Sequence, residues 1–270
     1  MLEKASTFKG YTLASLDGEI GKVKQFYFED RYWTIRYLVA QTSGWLADRQ
    51  VLLSPRALLD VAKSRQRIGV NLTKKQIEDS PTLESDKPVS RQFEDAYYGY
   101  YGWPSPYITG AYPYNMMPYY IQNPSQAKDS GPDKKPWDAH LRSTSDVIGH
   151  HVHATDGDIG HVVDFILDDQ MWAIRYLVSD THNWWPGKQV LIAPAWVQSI
   201  SWEDSKVFVN VNRDKIREAP DYTDETRLTR DYEKQLHRHY NQHGYWLERP
   251  AETPPEKIAG DSPCLAEATA

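Results

Sequence analysis

Short runs in which apolar and polar residues alternate, separated by turn-forming residues, fill the chain from Leu13 to Leu72. Residues 13–16, 20–28, 33–39, 51–53, 58–62 and 68–72 each read as a strand, because a period of two puts every second side chain on one face. Asp17-Gly18 is a tight-turn signal between the first two runs, since Gly tolerates positive φ. Gly21 interrupts the second run and marks a bulge, where a missing Cβ lets another backbone approach. The run from Trp33 to Val39 is the richest in aromatic and β-branched residues. Plain alternation sets Trp33, Ile35, Tyr37 and Val39 on one face and Thr34, Arg36 and Leu38 on the other. Thr73 is placed to cap a short helix over 74–79 that ends before Pro81. Val89, Phe93 and Tyr97, four apart, share one face of a further helix.

The whole pattern occurs twice. Residues 12–81 and 151–220 match at a fixed offset of 139, with 23 identities in 70 ungapped pairs. Asp17/Asp156, Gly21/Gly160, Trp33/Trp172, Arg36/Arg175, Trp45/Trp184 and Pro55/Pro194 are among them. Asn212 takes the capping place of Thr73, and Leu228, Tyr232 and Leu236 repeat the second helical stripe. Tandem duplication is the reading. It divides the chain into a leader (1–10), a first domain with its C-terminal helix (11–101), a Tyr/Pro-rich linker (102–146), a second domain (147–249) and a disordered tail (250–270). Nine of the 18 tyrosines fall between Tyr97 and Tyr120, without a helical or strand period. The expected fold class is mainly β: two tandem small β-barrels of about six short strands each, followed by short helices.

Composition narrows the function. With 31 basic and 37 acidic residues the formal charge is −6, which argues against a partner held by a broad basic surface, DNA above all. The halves differ: residues 11–101 carry 13 Lys/Arg against 12 Asp/Glu, and residues 150–249 carry 11 against 16. Lys63, Arg65, Arg67, Lys74 and Lys75 give the first half a basic group; a wet surface is the plain reading, an acidic partner or RNA the sharper one. Cys264 is the single cysteine, so no disulfide forms within the chain, which suits a reducing cytosol. No apolar run opens the chain and none approaches the ~20 residues of a spanning helix. A cytoplasmic protein is expected, at most peripheral to the inner membrane.

The Asp-Gly-x-Ile-Gly-x-Val motif, the Trp-x-Ile-Arg-Tyr-Leu-Val strand, Trp45/Trp184 and the Gln-Val-Leu run before Pro55/Pro194 resemble the PRC-barrel family. This is the small β-barrel of the photosynthetic reaction-centre H subunit and of a bacterial ribosome-maturation factor. The resemblance covers about residues 11–81 and 150–220. It implies a barrel and a role in binding other macromolecules, and no reaction. The chain lacks the membrane-spanning helix of the first relative and has a second barrel where the other has a different domain.

The candidate chemistry is sparse. Trp45, Trp184 and Trp185 are candidate partner-contact aromatics. Arg36 and Arg175, inside the strongest strands, are candidates for partner or anion contact, set against pairing with a neighbouring carboxylate. Asp17 and Asp156 read as turn-formers. His150, His151, His153 and His161 cluster near the second domain's start; His237, His239 and His243 are assigned to the last helix, where the latter two share a face. That spacing can hold zinc, but no metal-site motif accompanies it, and a solvated helix face is the plainer reading. No catalytic set, cofactor or metal is expected. The function expected is a non-enzymatic binding or scaffold protein that contacts a protein partner or itself. The alternatives are a peripheral component of a photosynthetic or electron-transfer membrane complex, or a ribosome-assembly factor.

Overall fold

The computed structural model describes residues 1–44, 46, 49–81, 89, 91–103, 140–181 and 188–246, with 91 and 92 as backbone only. The first half contains β1 (Leu2–Lys4), α1 (Ala5–Phe8), β2 (Thr12–Ser15), β3 (Gly18–Glu29), β4 (Thr34–Thr42), β5 (Gln50–Leu53), β6 (Leu58–Ala62), β7 (Arg67–Val70), α2 (Lys74–Glu78) and α3 (Arg91–Tyr100). The second contains β8 (Leu141–Ser143), α4 (Thr144–Val147), β9 (His151–Ala154), β10 (Gly157–Asp168), β11 (Ala173–Asp180), β12 (Gln189–Ile192), β13 (Val197–Ser201), β14 (Lys206–Val209), α5 (Arg213–Arg217) and α6 (Arg230–His239). The fold is mainly β, and no described helix is long and apolar enough to cross a membrane.

The repeated motif has local causes. The Asp17 carboxylate accepts from the Lys74 amide at 2.8 Å, and Asp156 accepts from Arg213 at 2.8 Å, so each Asp-Gly turn also caps the short helix of its half. That backbone hydrogen bond, with the one from Ser15, holds the Asp17 carboxyl below the usual carboxylate range. Thr73 and Gln76 close a capping box at the same helix, and Asn212 accepts from Lys215 in the second half. Gly21 and Gly160 sit at the expected close approach. A Cβ would lie 2.1 Å from the Gln41 carbonyl oxygen in one and 1.9 Å from that of Asp180 in the other, at φ +147° in both.

Within each half six strands run in one order, β6-β7-β2-β3-β4-β5 and β13-β14-β9-β10-β11-β12. Only β2–β7 and β9–β14 among these pairs are parallel. The expected closed barrels are not formed: β5 does not pair with β6, nor β12 with β13, and the sheet stays open. The chain passes from one to the next through 3-10 turns at Pro55–Ala57 and Pro194–Trp196. A proline there removes a ladder donor and turns the backbone away.

The two halves join in one 14-stranded sheet. β4 meets β11 antiparallel at Thr34 and Ala173, positions that are themselves one offset apart. Ile35 N–H donates to the Trp172 carbonyl at 2.8 Å and Ile174 N–H to that of Trp33 at 2.7 Å, which places a local two-fold axis between the strands. Trp33 and Trp172 hold φ of 56° and 47°, a left-handed backbone that costs an aromatic residue about 1–3 kcal/mol and is held by this junction.

The segments counted as leader and linker end are exchanged. β1 adds to β10 of the second half with Leu2 opposite Asp168, and β8 adds to β3 of the first with Leu141 opposite Glu29. The Met1 amine bonds Asp169, and His140 Nδ1 lies 2.9 Å from Asp30 at the equivalent place. Phe8 then packs between Phe26 and Trp172, with ring centroids 6.1 and 6.3 Å away. One continuous core holds Phe8, Phe26, Phe28 and Trp33 together with Phe165, Trp172 and Ile174.

One expectation for the strongest strand is corrected. In β3–β4 the register steps from Tyr27–Tyr37 to Phe28–Ile35, so Arg36 is the extra residue of a bulge. Arg175 is skipped in the same way between Tyr176 and Ile174. The bulge flips the phase of the strand. Trp33, Ile35 and Leu38 belong to the central core, whereas Tyr37 and Val39 pack beneath α3.

Candidate functional site

Each half ends in a helix laid over its own sheet, and the ionisable side chains of the fold converge there. In the first half Glu94 of α3 is fully buried. Its Oε1 accepts from Tyr37 Oη at 2.7 Å and from Arg36 Nη2 at 2.8 Å. Arg36 also donates to Glu29 Oε2 at 3.1 Å, and Arg31 donates twice to Glu29 Oε1. Burial, with the carboxylate of Glu94 nearby, pushes the Tyr37 hydroxyl well above its usual range, so it stays a donor. The bulge is what aims Arg36 at both carboxylates. Tyr97 completes the seat, donating to the Leu52 carbonyl and accepting from the Ser54 amide, each at 3.0 Å.

The second half seats α6 on Glu233 in the same place. Tyr176 and Tyr245 both donate to Glu233 Oε1, at 2.9 and 2.8 Å, and Arg230 pairs with Oε2 at 3.0 Å. Arg175 donates through Nε and Nη2 to Asp168 Oδ2 and lies 4.2 Å over the Tyr245 ring. Burial pushes the Asp168 carboxyl up, but the Arg175 charge and hydrogen bonds outweigh it and hold the group low. Arg230 stacks over Trp246 at 4.3 Å. His237 stands where the first half has Tyr98. Its Nδ1 donates to the His243 carbonyl at 2.9 Å, so Nε2 of a neutral ring, 3.1 Å from Tyr176 Oη, can only accept. Glu233 and His237 therefore compete for the single Tyr176 proton. Burial lowers the His237 pKa, and the Arg230 charge acts in the same direction.

Beside the first helix lies a surface groove of about 410 Å³. It is lined by the buried Ala57 and Leu72, by Tyr100, Tyr101 and Trp103, and by the polar Arg56, Asn71 and Gln76. Tyr101 and Trp103 stack at 4.6 Å with 17° between planes. Burial pushes the Tyr101 hydroxyl up to about 12. At the place of Ala57 the second half carries Trp196, buried and packed 4.3 Å from the ring of Tyr240, the counterpart of Tyr101. The lining differs between the halves at several positions, with Arg56, Ala57, Gln76, Tyr100 and Trp103 against Ala195, Trp196, Lys215, His239 and Gln242. Each half stacks one indole on the matched tyrosine, Trp103 on Tyr101 and Trp196 on Tyr240.

The residues singled out from sequence are distributed as follows. Arg36 and Arg175 lie in the buried networks, engaged with carboxylates of their own halves. Trp45, Trp184 and Trp185 lie outside the described residues, as does most of the Tyr-rich linker. The shared helix face of His239 and His243 is not formed: α6 stops at His239, Asn241 turns through φ 53°, and His243 follows beyond the helix. His239 Nε2 lies 2.5 Å from the Lys215 carbonyl. Among the described residues no three His, Cys, Asp or Glu side chains gather as a metal site. Reading by residue type missed Glu94 and Glu233, the centres of both networks. Their signal was identity at the offset inside an apolar helix stripe. A comparison with protein families finds no match for this chain, and a comparison with curated proteins finds none either.

Proposed function

We propose that the protein is a non-enzymatic binding or scaffold protein built on two PRC-barrel-like units, which contacts a protein partner or a second copy of itself. The duplicated six-strand order and the repeated Asp-Gly and Trp-x-Ile-Arg-Tyr motifs support the PRC-barrel-like reading. Exchange of the arms and the shared core give such units one fixed geometry, as a scaffold requires. The observation that carries the reading is the joining of the two units through one continuous sheet and core, with their N-terminal arms exchanged.

The test uses native extract separated by size and by sedimentation across soluble, membrane and ribosomal fractions. The wild-type chain is expected in an assembly larger than its own 31.2 kDa. A wild-type chain found only as a free monomer overturns the proposal.

A further inference from the structure

Resting on that reading, we infer that the partner is a second copy of this chain, and that a basic corner of one copy's first half docks on an acidic corner of the other copy's second half. The basic corner lies across β3, β2 and β7. Thr12 is paired with Lys22 on one side and Arg67 on the other, so those two side chains share a face with their Cα atoms about 10 Å apart. Gly10 N–H donates to the Val23 carbonyl at 2.9 Å, which brings Lys9 beside Lys24. Thr12 N–H donates to the Gln66 carbonyl at 2.8 Å, which brings in Arg65. All five cations are exposed, and none has an ion pair or a side-chain hydrogen bond among the described residues. Lys63, by contrast, is held by Glu3 and Asp169. The exposed acids on β2, β3, β6 and β7 are Glu19 and Asp60, so the corner keeps a positive excess.

The internal two-fold repeats this backbone in the second half with the opposite charge. His161 pairs with His151, and His151 with Lys206, across β10, β9 and β14. Gly149 and His151 N–H donate to the Val162 and Ser205 carbonyls, each at 2.8 Å, as Gly10 and Thr12 do in the first half. Of the five cations only Arg67 keeps a cationic counterpart, Lys206; Ile148, His161, Val163 and Asp204 stand for the rest. Exposed Asp146 and Glu203 stand where the first half has Thr7 and Ser64, and Asp158 stands for Glu19. Asp146 faces His150, whose ring packs 5.6 Å from that of Trp202, the neighbour of Glu203. The acids of α4 and of the β13–β14 turn thus gather at one corner. Like corners repel, so the contact that charge permits between copies is basic on acidic. The shared core holds both corners in one body, and each chain carries a site together with its complement. At about 0.1 M salt the Debye length is ~10 Å, so facing corners act on each other while the −6 charge of the whole chain is screened. Exposed pairs contribute little each, so the contact is weak and sensitive to salt.

The experiment is sedimentation velocity of the purified full chain over a concentration series, at about 0.1 M and about 1 M salt. At the lower salt the wild-type mass is expected to exceed 31.2 kDa and to rise with concentration; at the higher salt it returns to 31.2 kDa. Lys22→Glu, Arg65→Glu and Arg67→Glu together make both corners acidic. Asp146→Lys, Glu203→Lys and Asp204→Arg together make both basic. All six side chains are exposed, so each variant keeps its core. Each triple variant alone is expected to associate about tenfold more weakly or less. A mixture of the two should recover the association, because one brings basic corners and the other acidic ones; damage to the fold cannot produce that recovery. A wild-type chain that is monomeric at both salts, an assembly that persists at about 1 M salt, or a mixture that stays monomeric overturns the inference. Should the purified chain stay monomeric while the native extract still holds it in a larger assembly, the second copy is wrong and the binding reading stands with a different protein as partner.

Discussion

The two halves obey the same backbone rules and finish their helices with different chemistry. Gly21 and Gly160, the Asp17 and Asp156 caps, and the bulges at Arg36 and Arg175 recur at one offset. These features are set by backbone geometry, which leaves little freedom. The helix seats differ. Arg36, 3% exposed, bonds Glu94 directly, whereas Glu233 is paired with Arg230, which is 46% exposed in its side chain. Each buried carboxylate carries an arginine partner: Arg36, itself buried, on Glu94, and Arg230, which reaches water, on Glu233.

The largest expected effect follows from that contrast. Glu94→Ala takes from the buried Arg36 and Tyr37 the carboxylate oxygen to which both donate, at a cost of about 3–5 kcal/mol. Glu233→Ala frees an arginine that rehydrates, so its loss is about 1–3 kcal/mol, chiefly the stranded Tyr176 and Tyr245 hydroxyls. Urea unfolding of the two variants measures the difference, and equal losses would refute the comparison. Because one core spans both halves, each variant should unfold in a single transition whichever half reports it.

Next in size is the indole. Trp196→Ala removes a buried ring from between Tyr240 and His237 and should cost about 3 kcal/mol, toward the lower end for such truncations because the neighbouring rings can collapse inward. Ala57→Trp forces an indole in at a residue 1% exposed, beside a Trp103 already stacked on Tyr101, and should cost about 1–3 kcal/mol. Thermal melts of the pair check it; no loss from Ala57→Trp would mean that the groove takes the ring without repacking.

A smaller and more local effect comes from the arms. Deleting residues 1–4 removes β1 from the edge of β10, keeps Phe8 in the shared core and leaves the β8–β3 ladder of the first half intact. Hydrogen exchange should speed up at Asp169, whose amide donates to Met1, and not at Asp30, whose amide donates to His140. Equal acceleration at both would show that the two arms act as one unit.

Much of this architecture is legible in the sequence, for reasons that separate what was found from what was missed. The fixed offset, the strand runs and the close approach at Gly21 are properties of short windows, which periodicity and turn chemistry report directly. The arm exchange is not such a property. Residues 2–8 and 141–147 share only Leu2/Leu141 and Ser6/Ser145, and nothing local says which half a short segment will join. The bulge at Arg36 depends on register with β3, so alternation within β4 alone assigned Tyr37 to the wrong face. The groove's lining reads in the sequence as several mismatches at the offset, Ala57 against Trp196 and Trp103 against Gln242 among them, so each half takes its indole from a different position. Trp45, Trp184 and Trp185 drew attention because they are aromatic; burial and neighbours, which residue type does not encode, are what single out Trp103 and Trp196.

The mildest contrast is in pH. His237 is buried in the second half where the first has Tyr98, and burial depresses its folded pKa below the ordinary 6.5. A depressed histidine means that the unfolded chain binds more protons than the folded one as pH falls through 6.5. Stability contributed by the neutral ring is therefore full above that value and is lost as pH drops through it toward the folded pKa. His150, also depressed by burial and packed against Trp202, adds a change of the same sign. Asp168, held low by Arg175, loses its contribution only as pH falls below the ordinary 3.8, outside this window. Around His237 stand Glu233, Tyr176, Tyr245 and Arg230, and the Arg230 cation opposes protonation while the Glu233 carboxylate, one hydroxyl away, receives it. The wild-type melting temperature should thus fall between pH 7.5 and 5.5 by a few degrees, on the order of 1 kcal/mol of stability. His237→Tyr, which copies the first half, should flatten part of that slope, and the remainder should follow His150. A slope that survives both replacements would place the titration elsewhere, and a slope of opposite sign would mean that the folded state favours the imidazolium through Glu233.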